Sequence, residues 1–238
     1  MKLHTSREGS RYGGVMSTEI TVRGSFAAFQ QPERGTVHAS IAFEGAAMDS
    51  VYDRVARDLE TVKVSVVPLH DGEHGPVTWW SAEQLRIWST RPWNQDGEQL
   101  PLVHHASVGV AVKFRDFQAL SRWVGEHVAG TDGFRLSSVE WALTVRRRDE
   151  LAQQVRSRAV QDAVTRAQQY ADALGLGKVI PVALADAGML GANLHPTAGP
   201  GVALMRAAST GGAPDVELVP EDIEVSAEVD ARFLADVR

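Results

Sequence analysis

The chain has 238 residues, carries 24 Lys and Arg against 30 Asp and Glu for a net charge of −6, and contains no cysteine. That length allows one large domain or two small ones, with a sizeable core in either case. The acidic balance argues against a nucleic-acid partner, which needs a basic footprint, and the lack of cysteine excludes disulfides, thiolate metal sites and cysteine nucleophiles.

No window approaches the ~18 continuous apolar residues of a membrane span, so no membrane association is expected. The opening stretch MKLHTSREGSRYGGVMSTE lacks the apolar region of a secretory signal. Residues 1–16 read as a flexible tail, with Met16 as an alternative start to Met1, and a cytoplasmic location is expected.

Ile20 and Val22 begin an alternating strand that runs irregularly past Gly24 toward Phe29. Gln31-Pro32-Glu33-Arg34-Gly35 is a turn, because proline presets φ and glycine admits the left-handed corner. Val37, Ala39, Ile41 and Phe43 then alternate with polar or small residues and predict a half-buried return strand. His38 lies on its polar phase as a solvated residue.

Asp49 or Ser50 is the expected cap of the next helix, in which Val51, Val55, Leu59, Val62 and Val66 share a face; its end falls between Glu60 and Val67. His70 to Pro76 is a loop. Val77 to Ser89 and Leu102 to Phe114 predict two strands joined by a polar turn region from Thr90 to Pro101. Asp116 opens a short helix with Phe117, Leu120, Val124 and His127 or Val128 inward.

Val139, Trp141, Leu143 and Val145 then alternate as a strand. The clearest helix runs from Asp149 to Leu174, where Val155, Ala159, Ala163, Ala167 and Ala171 recur at steps of four. Those steps place them on one face, and small side chains let that face approach a neighbour closely. Val179 to Ala187 reads as a buried strand, with Pro181 marking an edge or an irregular start. Residues 188–215, rich in Gly, Ala and Pro, read as a mobile loop, and Ile223, Val225, Ala227 and Val229 alternate in a final strand.

The order β-β-α-β-β-α-β-α-β-β, with tight links between strand pairs, predicts an α+β fold with a mostly antiparallel sheet and packed helices. One domain is expected over residues 17–233.

Gly175-Leu176-Gly177-Lys178 has the look of a phosphate loop, but it ends a helix, where carbonyls point outward; a phosphate loop opens one. A glycine C-cap explains it. His70, Asp71, Glu73 and His74 have metal-ligand chemistry but no established ligand spacing, and a solvated loop is the simpler reading. His104 and His105, adjacent on a strand, point to opposite faces. The acidic run from Asp215 to Asp230 reads as a solvated or charged sheet surface. No serine sits in a nucleophile elbow. No catalytic set, cofactor site or metal site is therefore assigned, and the chain leans against being an enzyme.

Four of the six tryptophans, Trp79, Trp80, Trp88 and Trp93, fall in or near one hairpin, with Arg86 and Arg91 beside them. Tryptophan favours interfaces and clefts, so these six residues are the candidate interface or ligand surface. Alternation turns Trp79 and Trp80 to opposite sides.

The run RDELAQQVRSRAVQDAVTRAQQYADALGLGKVIPVALAD, the tail ALMRAA followed by VELVPEDIEVSAEVDARF, and the opening ITVRGSF with Gln31-Pro32-Glu33 together resemble the SIMPL-domain family (YggE-like proteins). The resemblance covers about Thr18 to Phe233 and is weak between Val62 and Pro101. Pro220-Glu221-Asp222 stands where the family usually has Pro-Gly-Glu.

It implies an α+β fold and homo-oligomers, an activity largely unknown with loose links to stress and signalling, and no catalytic residues to transfer. Many members are exported. The resulting expectation is a non-enzymatic, self-associating protein using strand and Trp-rich hairpin surfaces. The alternative is a small-molecule or metal binder, with an enzyme among the options, and a site near that hairpin and the His70–His74 loop.

Overall fold

The computed structural model of the chain describes residues 17–190 and 218–236. The expected N-terminal tail and most of the 188–215 loop lie outside the described residues. The elements are β1 (Ser17–Gln30), β2 (Arg34–Gly45), α1 (Met48–Val66) with a 3-10 turn at Val67–Leu69, β3 (Val77–Ala82), β4 (Arg86–Thr90), β5 (Val103–Phe114), α2 (Phe117–Gly130), β6 (Phe134–Ala142), α3 (Val145–Ala173), β7 (Ile180–Asp186) and β8 (Ile223–Asp236). The fold is α+β, and its strands form two sheets: three strands in the order β1-β8-β7, and five built on β3-β5-β2-β6 with β4 also on β5.

The chain divides into two compact units. One takes its described residues from the stretches 1–28, 149–201 and 224–238, the other from 29–148 and 202–223.

In the five-stranded unit, β2 and β5 pair antiparallel with Val37 opposite Val112, Ala39 opposite Val110 and Ile41 opposite Val108. These side chains share one face of the sheet, since alternate residues point the same way. They pack with Val51, Val55, Val62 and Val66 of α1 and Leu120, Trp123 and Val124 of α2 in a single apolar cluster. Asp116 caps α2, its carboxylate accepting from the backbone N–H groups of Gln118 and Ala119. Helix α1 begins earlier than expected, and neither Asp49 nor Ser50 caps it. Ala47 holds the cap position without a side-chain bond, and Val51 N–H reaches its carbonyl at 3.2 Å. Asp49 instead lies in the first turn, where its charge suits the helix dipole.

Three other boundaries depart from the sequence expectation. The expected strand Val77–Ser89 is two strands, β3 and β4, both laid along β5 and separated by Glu83 to Leu85. The ladder steps from Ala82 opposite Val110 to Arg86 opposite Ser107, so one extra residue is accommodated as in a bulge.

The expected strand through Val145 stops at Ala142, and α3 starts at Val145 instead of Asp149. Thr144 causes this: its hydroxyl accepts from Arg147 N–H at 3.3 Å as an N-cap. Glu33 fixes Thr144 in turn, accepting from its backbone N–H at 3.0 Å and its hydroxyl at 2.5 Å. Those bonds, chiefly the hydroxyl one, hold the Glu33 carboxyl below the usual carboxylate range.

The third departure is β7. It is an edge strand with Ile180, Val182 and Leu184 exposed, not a buried one. Among the described residues it pairs only with β8, and its register shifts between Pro181 and Ala183, in keeping with a proline that cannot donate to a ladder.

In the three-stranded unit the alanine stripe does what its spacing predicts. Ala159, Ala163, Ala167 and Ala171 are fully buried in one cluster with Ile20 and Val22 of β1 and Val229, Ala231 and Phe233 of β8. β1 passes so near that a Cβ built on Gly24 would lie 2.1 Å from the Ala159 carbonyl oxygen and 2.6 Å from the Ala163 nitrogen.

The helix ends in a Schellman motif. Gly175 has φ of +72°, Leu176 N–H bonds the Ala171 carbonyl and Gly175 N–H bonds that of Asp172. The glycine-lysine run is therefore a cap. The other face of the sheet is polar: Arg23 Nε donates to Asp230 at 2.8 Å, and Gly188 N–H, from the turn after β7, donates to the same carboxylate at 2.6 Å. Asp230 is thus a buried, paired end of the acidic run and not a solvated one. The Arg23 hydrogen bond leads in holding its carboxyl below the ordinary range.

Candidate functional site

The face of the five-stranded sheet opposite its apolar cluster carries the polar phase of each strand. Pairing places Ser40 of β2 beside Gly109 of β5, Ser107 beside Arg86 of β4, and His105 beside Trp88. Trp79 lies opposite Lys113. The tryptophan hairpin is therefore split by alternation. Trp79 and Trp88 stand on this open face, 47% and 45% exposed, whereas Trp80 turns to the other side and packs against the core. Arg91 and Trp93 lie beyond β4, and Trp93 is 65% exposed.

Beyond Thr90 the two chains of the hairpin continue to pair. Leu100 N–H bonds the Pro92 carbonyl, Trp93 bridges Gln99, and Asn94 closes the tip by accepting from Asp96 and Glu98 N–H groups. Gly97 at φ +77° turns it.

The two exposed tryptophans have different neighbours. Lys113 Nζ sits 5.5 Å from the centre of the Trp79 ring, a cation–π distance. Trp88 stacks on His105 with centroids 5.2 Å apart and planes inclined by 7°. His105 is itself fixed at both nitrogens: Nε2 meets the Thr90 hydroxyl at 2.8 Å and Nδ1 faces Glu44 Oε2 at 3.4 Å. With the proton on Nδ1, the ring donates toward Glu44 and accepts from Thr90. The order hydroxyl, imidazole, carboxylate is that of a hydrolytic triad. Here the Glu44 contact is long and its side chain is 73% exposed, so the firm consequence is a fixed imidazole plane behind Trp88.

His104 points to the opposite face and pairs with Ser89 at 2.8 Å, as alternation requires.

Beside Trp88 lies an open cleft of about 360 Å³ lined by Ser40, Glu83, Arg86, Trp88, Ser107 and Gly109. Glu83 is drawn over the sheet because its N–H bonds the Gly109 carbonyl at 2.8 Å. A Cβ on Gly109 would lie 2.7 Å from the Glu83 carboxylate, so the glycine makes room for it. Arg86 Nη2 approaches Glu83 Oε2 at 3.5 Å. Of the residues singled out in the sequence, the structure joins Trp88 and Arg86 here and leaves Trp79, Trp80, Arg91 and Trp93 outside the cleft lining. Glu83, Ser107, Gly109, Ser40 and the His105 support carry no sequence motif; only strand register assembles them.

The His70–His74 loop is organised from within. Asp71 accepts from the N–H groups of Glu73 and His74 at 2.8 and 3.2 Å, which hold its carboxyl below the usual range. Arg115 donates to the carbonyls of Gly72 and Glu73. Among the described residues no group of three or more His, Asp or Glu side chains is placed to hold a metal ion. No described helix is long and apolar enough to cross a membrane.

A comparison with curated proteins finds no match. The chain's residues 20–233, from the first core residue of β1 to the buried Phe233 of β8, match the family model described as SIMPL, protein of unknown function (DUF541), and the protein belongs to that family.

Proposed function

We propose that the protein acts by self-association, without catalysis of its own, and that the β4–β5 hairpin is its docking arm. One observation carries this reading. Every residue of β4 is exposed, and apolar side chains stand on both of its sides, Ile87 at 43% on one and Trp88 at 45% on the other. Among the described residues, neither face of this strand is buried.

Trp93, Leu100 and Leu102 extend the exposed apolar surface toward the tip. Isolated exposed apolar residues need no explanation, but a contiguous group marks an interaction site. The occupant is a second copy, which can bring the same arm in two-fold register so that each ribbon covers the other. The edge strand β7, with Ile180, Val182 and Leu184 outward, supplies a second apolar surface by which such pairs can extend.

Light scattering after size exclusion tests this. The full chain is expected to run as a dimer or larger at micromolar concentration. Ile87→Glu combined with Trp93→Ala is expected to give a monomer with unchanged circular dichroism. A strictly monomeric native chain overturns the reading, and so does an assembly that the double variant leaves intact.

A further inference from the structure

We propose that the cleft beside Trp88 is a binding site for a neutral carbohydrate ring of about monosaccharide size. The first observation is the platform. Trp88 is exposed yet supported, because His105 backs it in parallel stacking and is itself held at Nε2 by the Thr90 hydroxyl. Trp88 itself lines the cleft and is 45% exposed. A supported, exposed indole suits a ligand that offers a flat, weakly polar surface, and the C–H face of a pyranose is such a surface. Trp79, whose ring already carries Lys113, offers no equivalent.

The second observation is the polar equipment around that platform. Glu83 and Arg86 lie 3.5 Å apart and cancel each other's charge. An anionic ligand would have to displace Glu83, and a cationic one Arg86, so the balance favours an uncharged guest. The pair keeps unused capacity, since a guanidinium has five N–H donors and a carboxylate about four acceptor sites. Ser40 and Ser107 add hydroxyls that both donate and accept. Neighbouring hydroxyl groups on a sugar ring present the matching alternation of donors and acceptors. The volume, about 360 Å³, falls at the small end of the ~300–1,000 Å³ span of ligand sites. Gly109 is the third observation: its missing side chain is what lets the Glu83 carboxylate lie across the floor.

The site shares Trp88 with the arm, but the assembly test is read at Ile87 and Trp93. Its groups lie on the open face, whereas Ile87 projects from the other side of β4 and Trp93 stands beyond it. Titration of the full chain with D-glucose, D-galactose, D-mannose and N-acetyl-D-glucosamine, followed by tryptophan fluorescence and by ligand-observed NMR, tests the proposal. At least one sugar is expected to saturate with a millimolar midpoint, the weak end of specific affinities (about 1 mM). Trp88→Ala is expected to abolish that binding and Gly109→Ala to weaken it at least about tenfold by lifting Glu83, while Trp79→Ala leaves it unchanged.

Thr90→Val, which frees His105, is expected to weaken it less, by about threefold. Circular dichroism confirms that each variant is folded. No saturation by any of the four sugars overturns the proposal. So does saturation that survives Trp88→Ala, or a preference for inorganic phosphate or adenosine over every sugar. Failure here leaves the oligomer mass untouched, and a monomeric chain leaves the titration readable.

Discussion

Gly24→Ala should collapse the three-stranded unit. The added methyl would sit 2.1 Å from the Ala159 carbonyl oxygen and 2.6 Å from the Ala163 nitrogen, inside any permitted contact. Both obstacles are helix backbone, so no rotamer change can relieve them; β1 must move off α3. Overpacking a rigid core costs typically ~1–3 kcal/mol and more when backbone must shift, and a loss of at least about 3 kcal/mol is expected here.

Moving β1 also uncovers Ile20 and Val22 and strains the Ser25 N–H bond to Asp162, 3.0 Å in the native chain. Urea denaturation followed by far-ultraviolet dichroism measures the loss. Gly125→Ala is the control: this helical glycine has nothing within 4 Å of a built Cβ, and the change should stabilise α2 by about 0.5–1 kcal/mol. If Gly24→Ala lies within ~0.5 kcal/mol of the native chain, as a surface change would, the close approach of β1 and α3 is wrong.

That close approach shows what the sequence could reveal and what it could not. The stripe Ala159, Ala163, Ala167 and Ala171 is visible in the sequence because a helix writes its buried face at a local period, and it announces a near neighbour. Which residue meets it is not local: Gly24 lies 135 positions before Ala159 and reads in sequence only as a break in strand alternation. The same holds for the start of α3. Val145 continues an alternating pattern, and what overrides the pattern is Glu33 bonding Thr144 from across 111 positions. The C-cap at Gly175 was legible because every group in a Schellman motif falls within six residues.

In the candidate site, alternation correctly separated Trp79 from Trp80 and His104 from His105. It could not place Trp88 on His105, because that needs the pairing of β4 with β5, and the extra residue between Ala82 and Arg86 makes simple counting from β3 fail. Val77 to Ser89 looks like one strand because both halves are apolar and extended; the step between them appears only when both are laid along β5.

Trp123→Ala should be the most damaging tryptophan change, at a cost of roughly 3–5 kcal/mol for a buried large-to-small substitution, while Trp93→Ala stays within about 0.5 kcal/mol as an exposed one. Trp123 packs edge or tilted against Phe114, His127 and Phe134 at centroid distances of 5.6, 4.7 and 5.8 Å. Its Nε1–H donates to Ser65 Oγ at 2.9 Å, Ser65 Oγ meets His127 Nε2 at 2.7 Å, and His127 Nδ1 meets Thr131 Oγ1 at 2.9 Å. Removing the indole therefore opens a cavity and loosens a buried polar chain at once.

The same chain gives stability a pH dependence. Burial pushes the His127 imidazole below its usual range, and the nearby Glu126 opposes this only in part. Above about pH 6.5 the imidazole is neutral whether the chain is folded or not. As the pH falls below that value, the unfolded chain takes up a proton that the folded chain refuses, so stability declines until the folded value is passed. Urea midpoints measured between about pH 5 and 8 should fall on the acid side for the native chain, and His127→Gln should flatten that part of the curve while lowering the midpoint throughout. An identical acid slope in the variant would mean that the proton is taken up elsewhere and that His127 is not held neutral by its burial.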